Sequence, residues 1–480
     1  MNTSPSKREL QHFLRRFDSE SLKTTNVSVE DLTSASTGNI ASPKDYVNAL
    51  LAPSYHQLAL TKIDGPFDKS DWQSVSHTLY TLQKLGLSSI VVPDNPLWKT
   101  DKSLATDLVR RRLRESMKLV ESIEQAGGRA RLVYGSALEK SSDGGIEVNF
   151  DFILSALNNN QIPVIVPILT DHDGQLSPIQ SSEVVVALTQ RLAKQAVDPK
   201  LVPSKIVVIN KEGGIPNHAL PGTAHSLVNI QEEYDDIEKA FSENTTWKQT
   251  HPNTIQDLSM VRDCLSHLPI TSSAVIVPTR SLPSALITNL VTDKPLYSSS
   301  LPVIHSARVN QKKTTVLRYG IKINTYDNLG DLKLNRLTDL LEASFNRKVD
   351  TDAFYSRLNK VLAGAIIAGD YEGAVIMTAE RPDPQSLCSY AYLDKFAIAP
   401  SSQGIGLTDI LWKRMCDTYP ELLWRSRKDN GVNKWYFERS NGYLRLKNSN
   451  WVLFWHGAEG HTHTHDYTKI VESIPPSFLP

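Results

Sequence analysis

Cysteine is scarce in this sequence, with three residues in 480: Cys264, Cys388 and Cys416. So few and so widely spaced, they form neither a disulfide framework nor a zinc-ligand motif, and they point to a reducing compartment. Long hydrophobic runs are missing too. The most apolar stretch, Val361–Ala379, is interrupted by Asp370 and Glu372, whereas a membrane-spanning helix needs roughly 18 apolar residues in a row. No membrane span is expected. Neither sign of charge is in excess, since 52 Lys and Arg face 52 Asp and Glu. That argues against a surface given over to nucleic acid, which needs surplus cations against phosphate. The N-terminus lacks the apolar core of a secretory signal, and no internal repeat or long low-complexity tract stands out.

What is present is a chain of 480 residues, enough for two to four domains at about 100–200 residues each. Residues 1–50 form an arm and linker. Lys7, Arg8, Arg15, Arg16 and Lys23 among Ser and Thr suit a mitochondrial presequence, but Glu9, Asp18 and Glu20 interrupt it. Leu10, Phe13, Leu14 and Phe17 on one helical face suit a structural arm equally well. From about 55 to 305, strands alternate with helices. Ser89–Pro93, Arg131–Tyr134, Ile162–Leu169, Lys205–Asn210 and Ala274–Pro278 read as strands, and Leu104–Gln125, Phe150–Leu157 and Ser182–Ala196 as helices. That alternation implies an α/β sandwich on a mostly parallel sheet. A Ser/Pro/Thr-rich transition fills 280–320. Helices over Asn335–Phe345 and Asp352–Leu362 follow, then strands over Gly373–Ala379 and Ala391–Ala399. A Gly-bearing turn leads into a helix at 406–418, with further strands over Leu422–Arg427 and Trp451–Trp455.

The chemistry concentrates in Tyr392–Trp412, which reads strand, Gly-rich turn, helix. Backbone N–H groups in such a turn, with the positive helix end, suit a pyrophosphate. Gly404 and Gly406 would let the backbone approach it closely. Gln403-x-x-Gly406 after a strand resembles the pyrophosphate signature of the GNAT acetyltransferases. Leu-Asp-Lys-Phe at 393–396, Trp-Arg-Ser-Arg at 424–427 and Asn-Lys-Trp-Tyr-Phe-Glu-Arg-Ser-Asn-Gly at 433–442 narrow the likeness. Over roughly 320–470 they resemble the acetyltransferase domain of the fungal and vertebrate N-acetylglutamate synthases. Thr408 departs from the Gly or Ala usual there. The N-terminal half resembles the amino-acid kinase fold without its equipment. Lys62-Ile-Asp-Gly65 stands where a Lys-x-Gly-Gly loop is expected, and Ser181-Ser182-Glu183 where Asn-Ala-Asp is expected. Asp64 would repel nucleotide phosphates. The strings at 284–288 and from Lys294 also look like the fungal synthases.

The resemblance implies a degenerate amino-acid-kinase-like α/β domain at 51–310, a GNAT domain at 311–470 and a tail at 471–480. It implies acetyl transfer from acetyl-CoA to the α-amine of L-glutamate. Glutamate's two carboxylates call for cations. Arg425 and Arg427, at i and i+2 of a strand, share one face while Trp424 and Ser426 take the other. Arginine's planar fork suits carboxylates. Lys395, Asn430, Ser426 and Lys348, with Arg347 as its rival, complete the substrate set that the resemblance implies. The pyrophosphate turn Gln403, Gly404, Ile405 and Gly406, with the backbone of Phe396 and Ile398 along the pantetheine arm, would hold CoA. Tyr436 is the candidate general acid for the CoA thiolate, against a plain aromatic-core reading. Asn430 is a donor to carboxylate or thioester oxygen. No general base is evident.

His461, His463 and His465 alternate as metal ligands on one strand face would, or simply lie in an exposed tail; no metal is expected. Arg110–Arg114 reads as a solvated or interfacial helix face. Cys416 reads as core. The resemblance also implies the mitochondrial matrix, a homo-oligomer, L-arginine as feedback inhibitor bound by the first domain, and a possible complex with an acetylglutamate kinase. Two rivals stand beside this reading: a bifunctional synthase–kinase, and a non-catalytic arginine-sensing regulator.

Overall fold

The computed structural model describes residues 57–479 apart from 102, 143, 195–200, 218–221, 280–285, 287–288, 290–312 and 448. The arm at 1–50 and the string from Lys294 to 302 lie outside the described residues, as does 284–288 save Leu286. Spatial clustering divides the chain into two units, Met1–Gly214 with Asn244–Thr292, and Ile215–Glu243 with Asp293–Pro480.

In the first unit the strands are β1 (Gln57–Asp64), β2 (Leu87–Asp94), β3 (Ala130–Val133), β4 (Ile162–Ile165), β5 (Pro203–Asn210) and β6 (Ser273–Pro278). They hydrogen-bond in the order β6-β5-β1-β2-β4-β3, every pair parallel. β1 and β2 are buried along their whole length. Ile90–Val92 of β2 reads as an apolar run for that reason, whereas β1, which carries Thr61, Lys62 and Asp64, is not among the strands expected from the sequence. Helices α1 (Lys69–Lys84), α2 (Ala105–Gln125), α3 (Ser181–Lys194) and α4 (Thr254–Ser266) connect or cover them. Asp68 caps α1 by accepting the Asp71 N–H at 2.9 Å, a common way to satisfy a free helix-end donor. Gly127, at φ +90°, ends α2 where only glycine turns without strain.

Two expectations are corrected in this unit. Ile162–Leu169 is not one strand. β4 stops at Ile165, and Ile168–Thr170 belongs to a separate four-stranded sheet. Pro167 lies in the break and has no N–H to continue the ladder. Nor is the Arg110–Arg114 run uniformly solvated. Arg112 is buried, donates to the Pro167 carbonyl at 2.7 Å and lies 4.9 Å from the Trp98 ring centroid.

The second unit holds a short parallel pair, Leu227–Asn229 with Thr315–Arg318. The latter strand falls inside the stretch read as a transition. Seven further strands form its main sheet: β7 (Ile323–Tyr326), β8 (Leu362–Ala368), β9 (Gly373–Glu380), β10 (Tyr390–Ile398), β11 (Leu422–Arg427), β12 (Gly442–Arg445) and β13 (Trp451–His456). Their order is β7-β8-β9-β10-β11-β13-β12. β8 and β9 form a hairpin out of the stretch Val361–Ala379. Its polar break, Asp370 and Glu372, is the turn. Helices α5 (Leu334–Phe345) and α6 (Thr351–Val361) bury Leu337, Leu341 and Leu358 against Ile367, Ile376 and Ala397. Helix α7 (Leu407–Thr418) and the short α8 (Asn433–Arg439) carry Trp412 and Trp435, which meet Phe396 of β10. Helix α9 (Thr464–Ser473) buries Tyr467, Ile470 and Val471 against Leu423 and Leu453. Its presence excludes the strand-face alternative for the histidines: His461 precedes the helix and His465 lies within it, so the three do not line one strand face.

Gly442 begins β12 hard against the Trp455 ring. A Cβ there would sit 2.0 Å from Trp455 Cζ2, and an indole cannot swing aside as a flexible chain end can. Gly442→Ala is expected to lower stability by about 1–3 kcal/mol, the usual range for overpacking. Thermal unfolding checks this, and the loss should shrink in a Trp455→Ala background.

Candidate active site

β10 and β11 run parallel but share a single paired position, Tyr392 with Leu423. On its other side β10 stays paired to β9 as far as Ile398. The two central strands therefore part after Tyr392, and the inner backbone edge of β10 is left without a strand partner. A buried backbone edge needs hydrogen-bond partners, so this opening is a place for an extended ligand. At its end come the single 3₁₀ turn Pro400–Ser402, then Gly404 at φ +96° and Gly406 at φ +82° as N-cap of α7. Among the described residues, nothing accepts from the N–H groups of Gln403, Gly404, Ile405 and Gly406. Gln403 is exposed, while Ile405 and Gly406 are buried. The Ile398 N–H, one of two backbone positions assigned to CoA, donates to Ser344 Oγ at 3.3 Å.

A β-bulge shapes the cationic part. Pairing steps from Ile376–Lys395 to Met377–Leu393, leaving Asp394 as the extra residue, and bulges re-aim side chains. Lys395 packs on the face of Ala397, 5.0 Å from the Phe354 ring centroid. It donates to Asp394 Oδ2 at 2.5 Å, the Asp394 carbonyl at 3.2 Å and Ser477 Oγ at 3.0 Å. Burial draws the Lys395 pKa below its usual value against the pull of Asp394. Burial alone would raise the Asp394 carboxyl, but Lys395 and Arg357 together hold it low. Arg357 bridges Asp394 Oδ1 at 2.8 Å and Glu380. Asp394, Arg357 and Glu380 went unnoticed in the sequence, although Asp394 lies inside the quoted Leu-Asp-Lys-Phe string.

Arg425 donates to the carbonyls of Val471, at 2.5 Å, and Pro475, at 3.3 Å, with its guanidinium 4.2 Å from the Trp451 ring centroid. Arg427 is exposed beside the same ring. Trp424 and Ser426 are buried on the opposite face, as the alternation of a strand requires. Asn430 spends its side chain locally: Nδ2 donates to Ser426 Oγ at 2.9 Å and Oδ1 accepts the Val432 N–H at 3.0 Å. Lys348 is exposed and paired to Glu342 at 2.6 Å, while Arg347 donates to the Leu479 carbonyl at 2.8 Å.

Tyr436 lies on α8 among Trp412, Trp424, Trp435 and Phe454, 5.5 Å from the Trp424 ring. Burial pushes its hydroxyl up to about 12. It thus stands with Trp424 and Phe396 on one face of the sheet, whereas Lys395 and Arg425 project from the other. The gap between β10 and β11 is where both faces are reached together. Trp412 and Trp424 also keep buried indole N–H groups without acceptors among the described residues. Burial pushes the Cys416 thiol up to about 12, which leaves little thiolate for nucleophilic work.

In the first unit, Lys62 of β1 is fully buried among three carboxylates. It pairs with Asp64, with Asp94 at 3.0 Å and with Asp257 at 2.8 Å. Desolvation opposes its charge, but Asp257, Asp64 and Asp94 together hold the ammonium well above its usual pKa. Burial and the neighbouring Asp257 raise the Asp64 carboxyl well above its ordinary range, with Lys62 opposing. The lysine expected to meet nucleotide phosphates is thus held by acid groups, which repel them.

The site defines an acetyltransferase of the splayed-sheet kind. Residues 323–475 match the family model described as NAT, N-acetyltransferase, of N-acetylglutamate synthase. The mitochondrial amino-acid acetyltransferase of Laccaria bicolor is 37% identical over 462 residues, covering 87% of this chain and 81% of that protein. Its namesake in Schizosaccharomyces pombe is 32% identical, covering 91% and 92%. A looser likeness is to N-acetylglutamate synthase from Neisseria gonorrhoeae complexed with coenzyme A and N-acetyl-glutamate, at 12% identity and a TM-score of 0.48, covering 83% of this chain and 95% of that one. The chain belongs to the mitochondrial amino-acid acetyltransferases. It is an acyltransferase acting on an amino acid.

Lys62→Met would strand three buried carboxylates. The expected loss is about 3–5 kcal/mol near neutral pH. Because the folded-state pKa of Asp64 is raised, the folded chain holds a proton that the unfolded chain releases, so stability falls as pH rises through that window. The variant should be closest to wild type at the acid end of a urea-unfolding pH series.

Proposed function

We propose that the second unit transfers acetyl from acetyl-CoA to the α-amine of L-glutamate. The observation that carries this reading is the parting of β10 and β11 beside a Gly turn with open N–H groups. CoA's pyrophosphate takes the N–H groups of Gln403, Gly404, Ile405 and Gly406, helped by the α7 N-terminus. The pantetheine arm runs along the Phe396 and Ile398 backbone as an added strand, displacing the long Ser344 contact. Arg425 and Arg427 take a glutamate carboxylate, and Lys395 the other. Ser426 and Asn430, bonded to each other, fix the loop that follows β11 and so the guanidinium pair. Lys348 lies at the rim, beside Arg347. Tyr436, protonated across the ordinary pH range, returns a proton to the departing thiolate.

The first unit serves regulation and assembly: it binds L-arginine as feedback inhibitor and builds a homo-oligomer, with an acetylglutamate kinase as the partner this reading allows. The acid-locked Lys62 favours this over a bifunctional synthase–kinase.

The test is CoA thiol release from acetyl-CoA with and without L-glutamate. Release that depends on glutamate, falls with added L-arginine and needs no ATP is expected. Tyr436→Phe should lower kcat by about 10²–10⁴, the range for a lost general acid. Wild-type kcat should show no alkaline fall from this group around pH 10, the ordinary tyrosine range, because burial pushes its hydroxyl up to about 12. An unchanged kcat in the variant would reduce Tyr436 to aromatic packing.

A further inference from the structure

The segment after α9 doubles back across the cations that the proposed function reserves for glutamate. Ser477 accepts from the Asp350 N–H at 3.1 Å, Leu479 donates to the Lys348 carbonyl at 2.9 Å, and Val349 and Phe478 form an antiparallel bridge. Phe478 packs against the α5–α6 core, 5.0 Å from the Phe345 ring. Held this way, the segment supplies oxygen acceptors to three cations. Arg425 is taken by the Pro475 carbonyl, beside that of Val471 on α9, Lys395 by Ser477 Oγ, and Arg347 by the Leu479 carbonyl.

Donor counting sharpens the point. An ammonium has three N–H donors, and all three of Lys395 are spent, two on Asp394 and one on Ser477. Lys395 therefore has no donor left for a carboxylate. Asp394 is ionised, buried and also held by Arg357. Ser477 is neutral and sits on a segment fixed by two backbone hydrogen bonds and one aromatic ring. Charged acceptors hold an ammonium more strongly than a hydroxyl does, so the Ser477 bond is the one an incoming carboxylate breaks.

We propose that Pro475–Leu479 is a strap that occupies the amino-acid site in the free enzyme and competes with glutamate for Lys395 and Arg425. The strap rests on the reading of those two residues as glutamate ligands. Its carbonyl and hydroxyl oxygens stand in for the substrate's carboxylate oxygens, so buried cations stay satisfied while the site waits. Glutamate binds the strap-open fraction only, and its apparent affinity is reduced by that fraction.

The test uses the full chain. Ser477→Ala removes the hydroxyl on Lys395, and Phe478→Ala removes the anchoring ring. Each should lower KM for L-glutamate severalfold while leaving KM for acetyl-CoA in place, and Ser477→Thr should restore the wild-type value. Hydrogen exchange at the Leu479 N–H, bonded to the Lys348 carbonyl, should speed up when saturating L-glutamate is added. A raised or unchanged glutamate KM in both variants, or exchange slowed by glutamate, would overturn the strap and make the segment a fixed wall. Arg425→Ala separates the two readings. A glutamate KM raised about tenfold or more keeps the site assignment whatever the strap variants do. An unmoved KM sinks the assignment itself.

Discussion

Two parallel strands that touch once and then part leave a backbone edge open inside a sheet, and the second unit is organised around that opening. A sheet interior normally leaves no N–H or C=O unpaired. Here β9 satisfies one edge of β10, and the other lies open beyond Tyr392. The glycines at 404 and 406 extend the opening into a row of unbonded N–H groups at a helix end. Indole and phenol rings line one face of the opening, and cations the other. The bulge at Asp394 serves the same geometry, because it changes which way Lys395 faces relative to an unbroken strand.

Buried charge is the second recurring constraint, and the two units resolve it differently. In the first, one ammonium sits among three carboxylates. Such a cluster is self-contained and has no cation to spare for a phosphate. In the second, cations and acids are nearly balanced through Lys395, Arg357, Asp394 and Glu380. Arg425 and Arg347 turn instead to backbone carbonyls, Arg425 to those of Val471 and Pro475 and Arg347 to that of Leu479. Neutral acceptors are weaker partners for a cation than carboxylates, which is the condition for exchanging them against a dianionic substrate.

The parallel strands β2, β5 and β6 were legible because burial on both faces writes a continuous β-branched run, whereas β1 was missed because Lys62 and Asp64 interrupt its apolar pattern. The turn from β10 into α7 was legible because glycines mark positive φ. The faces of β11 were legible because alternation is a property of any strand. Ile162–Leu169 misled because composition does not show where a ladder stops at Pro167. The histidines left a strand face and a tail both open, because an i, i+2 spacing fits a strand only if a strand is there. Arg112 read as part of a solvated or interfacial run, though its neighbours in space, Trp98 and Pro167, bury it within the unit.

The sequence by itself determined the alternation of elements, the Gly turn and the kinds of side chain available at the site, since these are written in local periodicity and residue chemistry. It also carried the string that marks the acetyltransferase family. Tertiary structure alone decided which groups meet. Lys62 finds Asp257 195 positions away, and Lys395 finds Ser477 82 positions away. Pairings at such separations depend on how strands and helices pack, and no local pattern records them.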